Sequence, residues 1–178
     1  AVMKPQDLIG ADTGAIGSWG GTLFPVKAGK TFVRANGSLG WVVPGVMGAA
    51  IGRPQHKSVA LSGDGGVLYN LTELETALRC NIPTMTVVLN NSCLASEYHA
   101  QLGKRQGRVV SSVLDFRNTD FGAVASSFGA HGSQVTHVSE LKDALNEAYK
   151  QDIASVVDVV VSKESVGPSG NRDKTRLV

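Results

Sequence analysis

Three short segments hold the residue types that could do chemistry: Asp12-Thr13-Gly14-Ala15-Ile16-Gly17, Gly63-Asp64-Gly65-Gly66 and Asn90-Asn91. Glycines at 63, 65 and 66 let the backbone approach a ligand closely and turn tightly into a helix. Amides at such a turn and at the helix start can receive phosphate oxygens. No Lys or Arg occurs between Lys57 and Arg79. A phosphate loop of the Gly-Lys-Ser/Thr type, which needs its lysine, is therefore excluded. The loop carries instead a carboxylate, Asp64, which would repel a bare diphosphate. A divalent cation between them resolves the conflict, because Mg²⁺ prefers oxygen ligands, binds few protein carboxylates and bridges phosphates. Asn91 offers a neutral amide oxygen. One carboxylate, one amide, a backbone carbonyl, two phosphate oxygens and a water would complete an octahedron. Gly-Asp-Gly or Asn-Asn alone also reads as a simple turn, since these residues dominate turns for local reasons. The pair is more specific, with each member at a strand end and one helix between.

The elements that must position these residues follow from the apolar pattern. Leu8–Gly10, Thr31–Arg34, Ser58–Leu61, Thr84–Leu89 and Ser155–Val161 are short apolar runs, the clearest of them rich in β-branched residues, as strands of a parallel sheet covered on both faces should be. Leu71–Arg79 carries apolar residues at helical spacing. Asp120–Phe128 reads as a helix capped by Thr119, and Ser139–Tyr149 as a helix capped by Ser139. This alternation predicts a doubly wound α/β domain, mostly parallel, with helices on both faces. Residues 1–166 form the expected domain and 167–178 a polar, mobile tail. In such sheets ligands bind beyond the carboxyl ends of the strands, where all three loops fall.

The spacing of Gly63-Asp64-Gly65 and Asn91, 27 positions after Asp64, resembles the motif of thiamine-diphosphate-dependent enzymes. The stretch Asn36-Gly37-Ser38-Leu39-Gly40-Trp41-Val42-Val43-Pro44-Gly45-Val46-Met47-Gly48-Ala49-Ala50 resembles the segment preceding that motif in acetolactate synthase and its relatives. Asn70-Leu71-Thr72-Glu73-Leu74, Asn81-Ile82-Pro83 and Phe128-Gly129-Ala130-His131-Gly132 fit the same pattern. The resemblance implies that thiamine diphosphate is bound with Mg²⁺ (or Ca²⁺ or Mn²⁺). Asp64 and Asn91 would be side-chain metal ligands, and Cys93 would give its backbone carbonyl. Gly63, Gly65 and Gly66 would meet the diphosphate, as would Gly14, Ala15 and Ile16 in the first loop. Ser38 and Leu39 would lie against the cofactor, with Leu39 holding it bent, and Leu94 and Ala95 would follow on the far side. The implied activity is that of a lyase or carboligase acting on a 2-oxo acid or related carbonyl compound. The cofactor supplies the electron sink and the protein supplies orientation and electrostatics.

The family's protonating glutamate comes from a separate pyrimidine-binding domain, which 178 residues cannot also hold. Glu73 and Glu75 read as solvated helix residues. The expected partner is thus a pyrimidine-binding domain or subunit, in a homodimer or tetramer. His99, eight positions past Asn91, is the one catalytic candidate in the chain. His56, His131 and His137 are assigned to turns and loops, Trp19 and Trp41 to core or interface. Ser96 and Ala100 stand where acetolactate synthases usually carry Met and Trp, and Gly17-Ser18 where a Gln-His pair is common. These departures leave open another 2-oxo acid, an acyl-CoA derivative or a cyclic diketone. A two-chain decarboxylase subunit and a non-catalytic cofactor-binding module are the alternatives.

Bulk properties bound these readings. A hydrophobic fraction of 42%, a charged fraction of 18% and a net charge of +2 suit a globular domain with much surface buried against partners. The net charge argues neither for nor against a polyanionic partner, and no nucleic-acid partner is expected. No apolar run approaches the roughly 20 residues of a membrane span, and nothing at the start signals export. Cys80 and Cys93 read as reduced thiols in apolar segments, so a cytoplasmic protein is expected. A chain starting at Ala1 is expected to be a processed piece or half of a longer polypeptide.

Overall fold

The computed structural model describes residues 2–34, 37–104 and 108–168. Asn36 and residues 169–178 of the expected tail lie outside them. In chain order the elements are β1 (Leu8–Ala11), α1 (Ala15–Leu23), β2 (Phe32–Arg34), α2 (Val42–Gly52), β3 (Ser58–Gly63), α3 (Asp64–Asn70), α4 (Glu73–Arg79), β4 (Thr84–Asn90), α5 (Ala95–Lys104), α6 (Ser111–Leu114), α7 (Phe121–Phe128), β5 (His131–Val135), α8 (Val138–Lys150) and β6 (Ser155–Val160). The strands make one sheet in the order β2-β1-β3-β4-β6-β5, every pair parallel.

All five expected strands form, with ends shifted by one or two residues. The period-2 pleat sends alternate side chains to opposite faces. Val88 and Val156 pack with Val42, Val46, Met47 and Phe121 on the face covered by α2 and α7. Val87, Val157 and Val159 pack with Ile9, Val59 and Met85 on the other, where Leu141 and Leu145 of α8 join them. Each such burial is worth about 1.5–3 kcal/mol, and both faces are needed to hold a parallel sheet.

Five expectations are corrected. His131–Val135, read partly as a turn, is strand β5; it contains no apolar run and forms at the sheet edge by pairing with β6. Thr119 does not cap α7: the cap is Asp120, whose carboxylate accepts the Ala123 amide at 2.8 Å, the N3 position that a capping side chain reaches. Ser139 does not cap α8; it lies inside the first turn, and Glu140 reaches back to the His137 amide at 3.3 Å. Cys93 is buried, but Cys80 at the end of α4 is exposed, and both are free thiols. Gly167, assigned to the mobile tail, lies against Ala15 and Trp19 of α1. No helix among the described residues is long and apolar enough to cross a membrane.

The strand order places the site. From β1 the chain crosses to β2 on one side through α1, then returns past β1 to β3 through α2. The loops leaving β1 and β3 therefore diverge, and a crevice opens at the carboxyl ends of these neighbours, the usual ligand position in open α/β sheets.

Candidate functional site

At that crevice the loops after β1, β3 and β4 surround a cavity of about 470 Å³. Its wall brings together Gly14, Ala15 and Ile16 from the first loop, Leu39, Gly63, Asp64, Gly65 and Gly66 from the second and third, and Asn91, Cys93, Leu94 and Ala95 after β4. Two sequence candidates stand apart from this wall. Ser38 is exposed, its carbonyl accepting the Trp41 amide at 3.4 Å. His99 is turned away on α5, with Nε2 2.9 Å from the Lys163 carbonyl and its ring edge-on to Tyr98. Trp19, assigned to core or interface, lies on the wall with Leu23 of α1.

The two predicted metal-ligand side chains meet. Asp64 opens α3 and is buried. Its Oδ1 accepts the Gly65 amide at 2.7 Å, and its Oδ2 accepts the amides of Asn91 at 3.0 Å and Cys93 at 3.1 Å. Asn91 Oδ1 accepts the same Cys93 amide at 3.1 Å. One backbone N–H thus gathers an oxygen from each side chain. Burial nonetheless pushes the Asp64 carboxyl above its ordinary range, against the lowering effect of the amides of Gly65, Cys93, Asn91 and Ser92. Among the described residues lining the cavity there is no Lys, Arg or His. Cys93 is different in kind. Its thiol is pushed up to about 11 by burial and by the neighbouring Asp115.

The glycines are where contact requires them. A Cβ on Gly65 would come within 2.8 Å of Leu94 Cδ2. A Cβ on Gly66 would overlap Oδ2 of Asp12 and come within 2.7 Å of Ser62 Oγ. The first turn of α3 therefore lies bare against the cavity on one side and against a buried acid on the other.

That acid, Asp12, is a residue to which sequence reasoning assigned no role. It is fully buried. It accepts the Gly40 amide at 3.0 Å on both oxygens, Ser62 Oγ at 2.8 Å and the Thr13 amide at 2.8 Å. One carboxylate ties the end of β1 to the end of β3 and to the turn that carries Leu39. The available signal was an acid directly after an apolar strand, which is also the signal of an ordinary turn. Glu73 and Glu75 do not line the cavity, and Glu75 pairs with Arg79 at 2.9 Å on the outer face of α4. Among the described residues no group of three or more His, Cys, Asp or Glu could hold a metal.

A parallel doubly wound sheet with a glycine-walled, oxygen-bearing crevice at its switch point defines a cofactor-binding α/β domain for a phosphate-containing ligand. Comparison with known proteins narrows this class. Residues 12–159 match the family described as the thiamine pyrophosphate enzyme C-terminal TPP-binding domain, and the chain belongs to that family. It is 32% identical over 160 residues to a putative thiamine pyrophosphate-containing protein, YdaP, of Bacillus subtilis, covering 88% of this chain and 27% of the relative. It is 35% identical over 152 residues to acetolactate synthase of the same organism, covering 84% of this chain and 26% of that enzyme. The chain thus spans about a quarter of the length of these relatives. The fold matches that of the Rhodococcus jostii RHA1 thiamine diphosphate-dependent 4-hydroxybenzoylformate decarboxylase, with a TM-score of 0.77 at 22% identity over 90% of this chain and 30% of that one.

Proposed function

We propose that this domain holds the diphosphate end of thiamine diphosphate through a divalent metal bound by Asp64, Asn91 and the backbone carbonyl of Cys93. The observation that carries this reading is the convergence of Asp64 Oδ2 and Asn91 Oδ1 on one amide beside the cavity. The residues fit the group. Hard oxygen donors suit Mg²⁺, and Ca²⁺ or Mn²⁺ in its place. The absence of a Cβ on Gly65, which would come within 2.8 Å of Leu94 Cδ2, opens the first turn of α3 toward the cavity, where the backbone of Gly65 and Gly66 would meet phosphate oxygens. Gly14, Ala15 and Ile16 bound the same space from α1. A soft sulfur does not suit a hard cation, so the carbonyl is the group that Cys93 can offer.

Bound thiamine diphosphate supplies a carbon nucleophile and electron sink for making or breaking a bond next to a carbonyl. The chain's own residues bind, orient and shield. Leu39 and Leu94 present apolar surface that would hold the cofactor's middle in one conformation, and Trp19 and Leu23 add apolar surface to the far wall. The substrate is a 2-oxo acid or related carbonyl compound, as in acetolactate-synthase-like lyases and carboligases. The catalytic glutamate comes from a pyrimidine-binding domain or subunit outside these residues, and the active form is a homodimer or tetramer in the cytoplasm. Residues 1–166 act as one domain.

The test is a titration of the full-length protein with thiamine diphosphate and Mg²⁺, with and without EDTA. Asp64→Ala should weaken metal-dependent binding about a hundredfold or more, on the order of 3 kcal/mol, because it removes the only charged ligand. Asn91→Ala removes a neutral one and should cost less. Unchanged affinity in Asp64→Ala would refute the assignment.

A further inference from the structure

Asp158 has no explanation in the core that surrounds it. It lies in the middle of β6, fully buried, within the apolar run Ser155–Val160. A buried carboxylate is expensive unless fully hydrogen-bonded, and a valine there would cost less. This one is only partly satisfied, because Oδ1 has no partner. Its other oxygen, Oδ2, accepts three donors from three elements: the Phe121 amide that opens α7 at 3.1 Å, Gln134 Nε2 of β5 at 2.9 Å, and Asn90 Nδ2 of β4 at 3.3 Å.

Asn90 carries this fixed point to the site. Its Nδ2 also donates to the Thr119 carbonyl at 2.8 Å, and its Oδ1 accepts the Ser92 amide at 3.2 Å. That last bond closes an Asx turn over a residue in the left-handed region, Ser92 at φ 54°, which a non-glycine adopts only at a cost. The turn reverses the chain within four residues. Asn90 points inward to Asp158, while Asn91 and the Cys93 amide point to Asp64.

We propose that Asp158 and Asn90 are positioning residues that set the metal-ligand loop 90–93, holding Asn91 and the Cys93 backbone at the separation a small octahedral cation requires. This rests on the metal site proposed above. Neither residue would touch the metal. Asp158 ties Asn90 to the start of α7 and to β5 through one shared oxygen, Asn90 stabilises the strained turn at Ser92, and the turn presents the ligands. Partners that orient ligands from behind typically change metal affinity 10- to 100-fold when removed. They also bear on metal choice, because Mg²⁺ demands near-ideal geometry whereas Ca²⁺ accepts looser shells.

The experiment is calorimetric titration of Mg²⁺ and, separately, Ca²⁺ into the full-length protein with a fixed concentration of thiamine diphosphate present, corrected for metal binding to the free cofactor, well below its melting temperature. Asn90→Ala and Asp158→Ala should each weaken Mg²⁺ about 10- to 100-fold and lower the Mg²⁺-over-Ca²⁺ preference. Asp158→Asn, which keeps an acceptor oxygen, should stay within a few-fold of the unaltered protein. Val156→Ala is the control, a buried neighbour on the same strand and face; it should lower thermal stability and leave both metal affinities alone. If Asp158→Ala does not fold, Asn90→Ala with Asp158→Asn decides the matter. Unaltered Mg²⁺ affinity and preference in Asn90→Ala would overturn the proposal, as would an equal loss in Val156→Ala. Failure of the unaltered protein to bind Mg²⁺ with the cofactor in an EDTA-sensitive manner would overturn the metal site itself, and this positioning role with it.

Discussion

Gly66→Ala tests how the floor of the site is built. The new methyl would overlap Asp12 Oδ2, and Asp12 has no free volume to retreat into, being fully buried. Ser62 Oγ, at 2.7 Å from the methyl position, can rotate, but doing so gives up its own 2.8 Å bond to Asp12. Displacing the carboxylate also stretches its bonds to the Gly40 amide. Two hydrogen bonds to a charged acceptor are worth about 1.5–3 kcal/mol each. Alanine is the better helix former by about 1 kcal/mol. The net cost should be about 2–5 kcal/mol, a large share of the ~5–15 kcal/mol that holds a typical domain together. Guanidinium titrations measure it at fixed protein concentration. The decisive comparison is a double-mutant cycle with Asp12→Ala. That substitution is itself destabilising because it strands the buried Gly40 amide, but it removes the overlap. In its background Gly66→Ala should be neutral or stabilising by up to about 1 kcal/mol, giving a coupling near 3 kcal/mol, the upper end for residues in contact. Additivity within about 0.5 kcal/mol would show that the two residues do not compete for this space.

Two further expectations follow from other parts of the molecule. Tyr149 Oη donates to buried Asp7 at 2.6 Å, and burial, then Asp7, pushes its phenol up from 10.0 to about 12. The folded protein holds that proton more tightly, so the contribution is fully present below pH 10 and is lost as pH rises toward 12. Tyr149→Phe should cost about 1.5–3 kcal/mol near neutrality, and the gap should narrow across that alkaline range; a constant gap in pH-resolved unfolding would count against it. Leu39→Ala, which trims an apolar side chain on the cavity wall and removes no proposed metal or diphosphate contact, should reduce turnover of the full-length enzyme more than cofactor affinity. Equal losses in both would make Leu39 a packing residue only.

What could be read from the sequence depended on whether a signal was periodic or chemical. The inner strands β3, β4 and β6 are unbroken or nearly unbroken apolar runs, and a run of that length buried on both faces has few alternatives. Helices α1 and α2 left no such trace. Ala15–Leu23 and Val42–Gly52 carry several glycines, poor helix formers, and their outer faces are small or apolar rather than charged: α2 buries Val42, Val43, Val46, Met47 and Ala50 while Gly48, Ile51 and Gly52 are exposed, as is Leu23 on α1. A periodicity search needs contrast between faces, and here there is little. Strand β5 failed the same search for the opposite reason, since an edge strand is held by its ladder to β6 and needs few apolar side chains.

The site divides along a similar line. Asp64 and Asn91 are legible because a carboxylate in a glycine turn without a cation poses an electrostatic problem that the sequence itself displays. Asp12, Asn90 and Asp158 pose theirs only in three dimensions. An Asp after a strand looks like a turn, and an Asp inside a valine run looks like a flaw in a strand. Burial is what separates them: Asp12 and Asp158 are both fully enclosed, and each lies behind one of the loops that carry a predicted metal ligand. Asp12 accepts Ser62 immediately before the Gly63–Gly66 turn, and Asp158 accepts Asn90 immediately before Asn91. Neither acid is needed to fill the core, where apolar residues would pack at lower cost. Each instead holds a strand end in register with its neighbours, so the geometry of Asp64 against Asn91 depends on two carboxylates that never face the cavity.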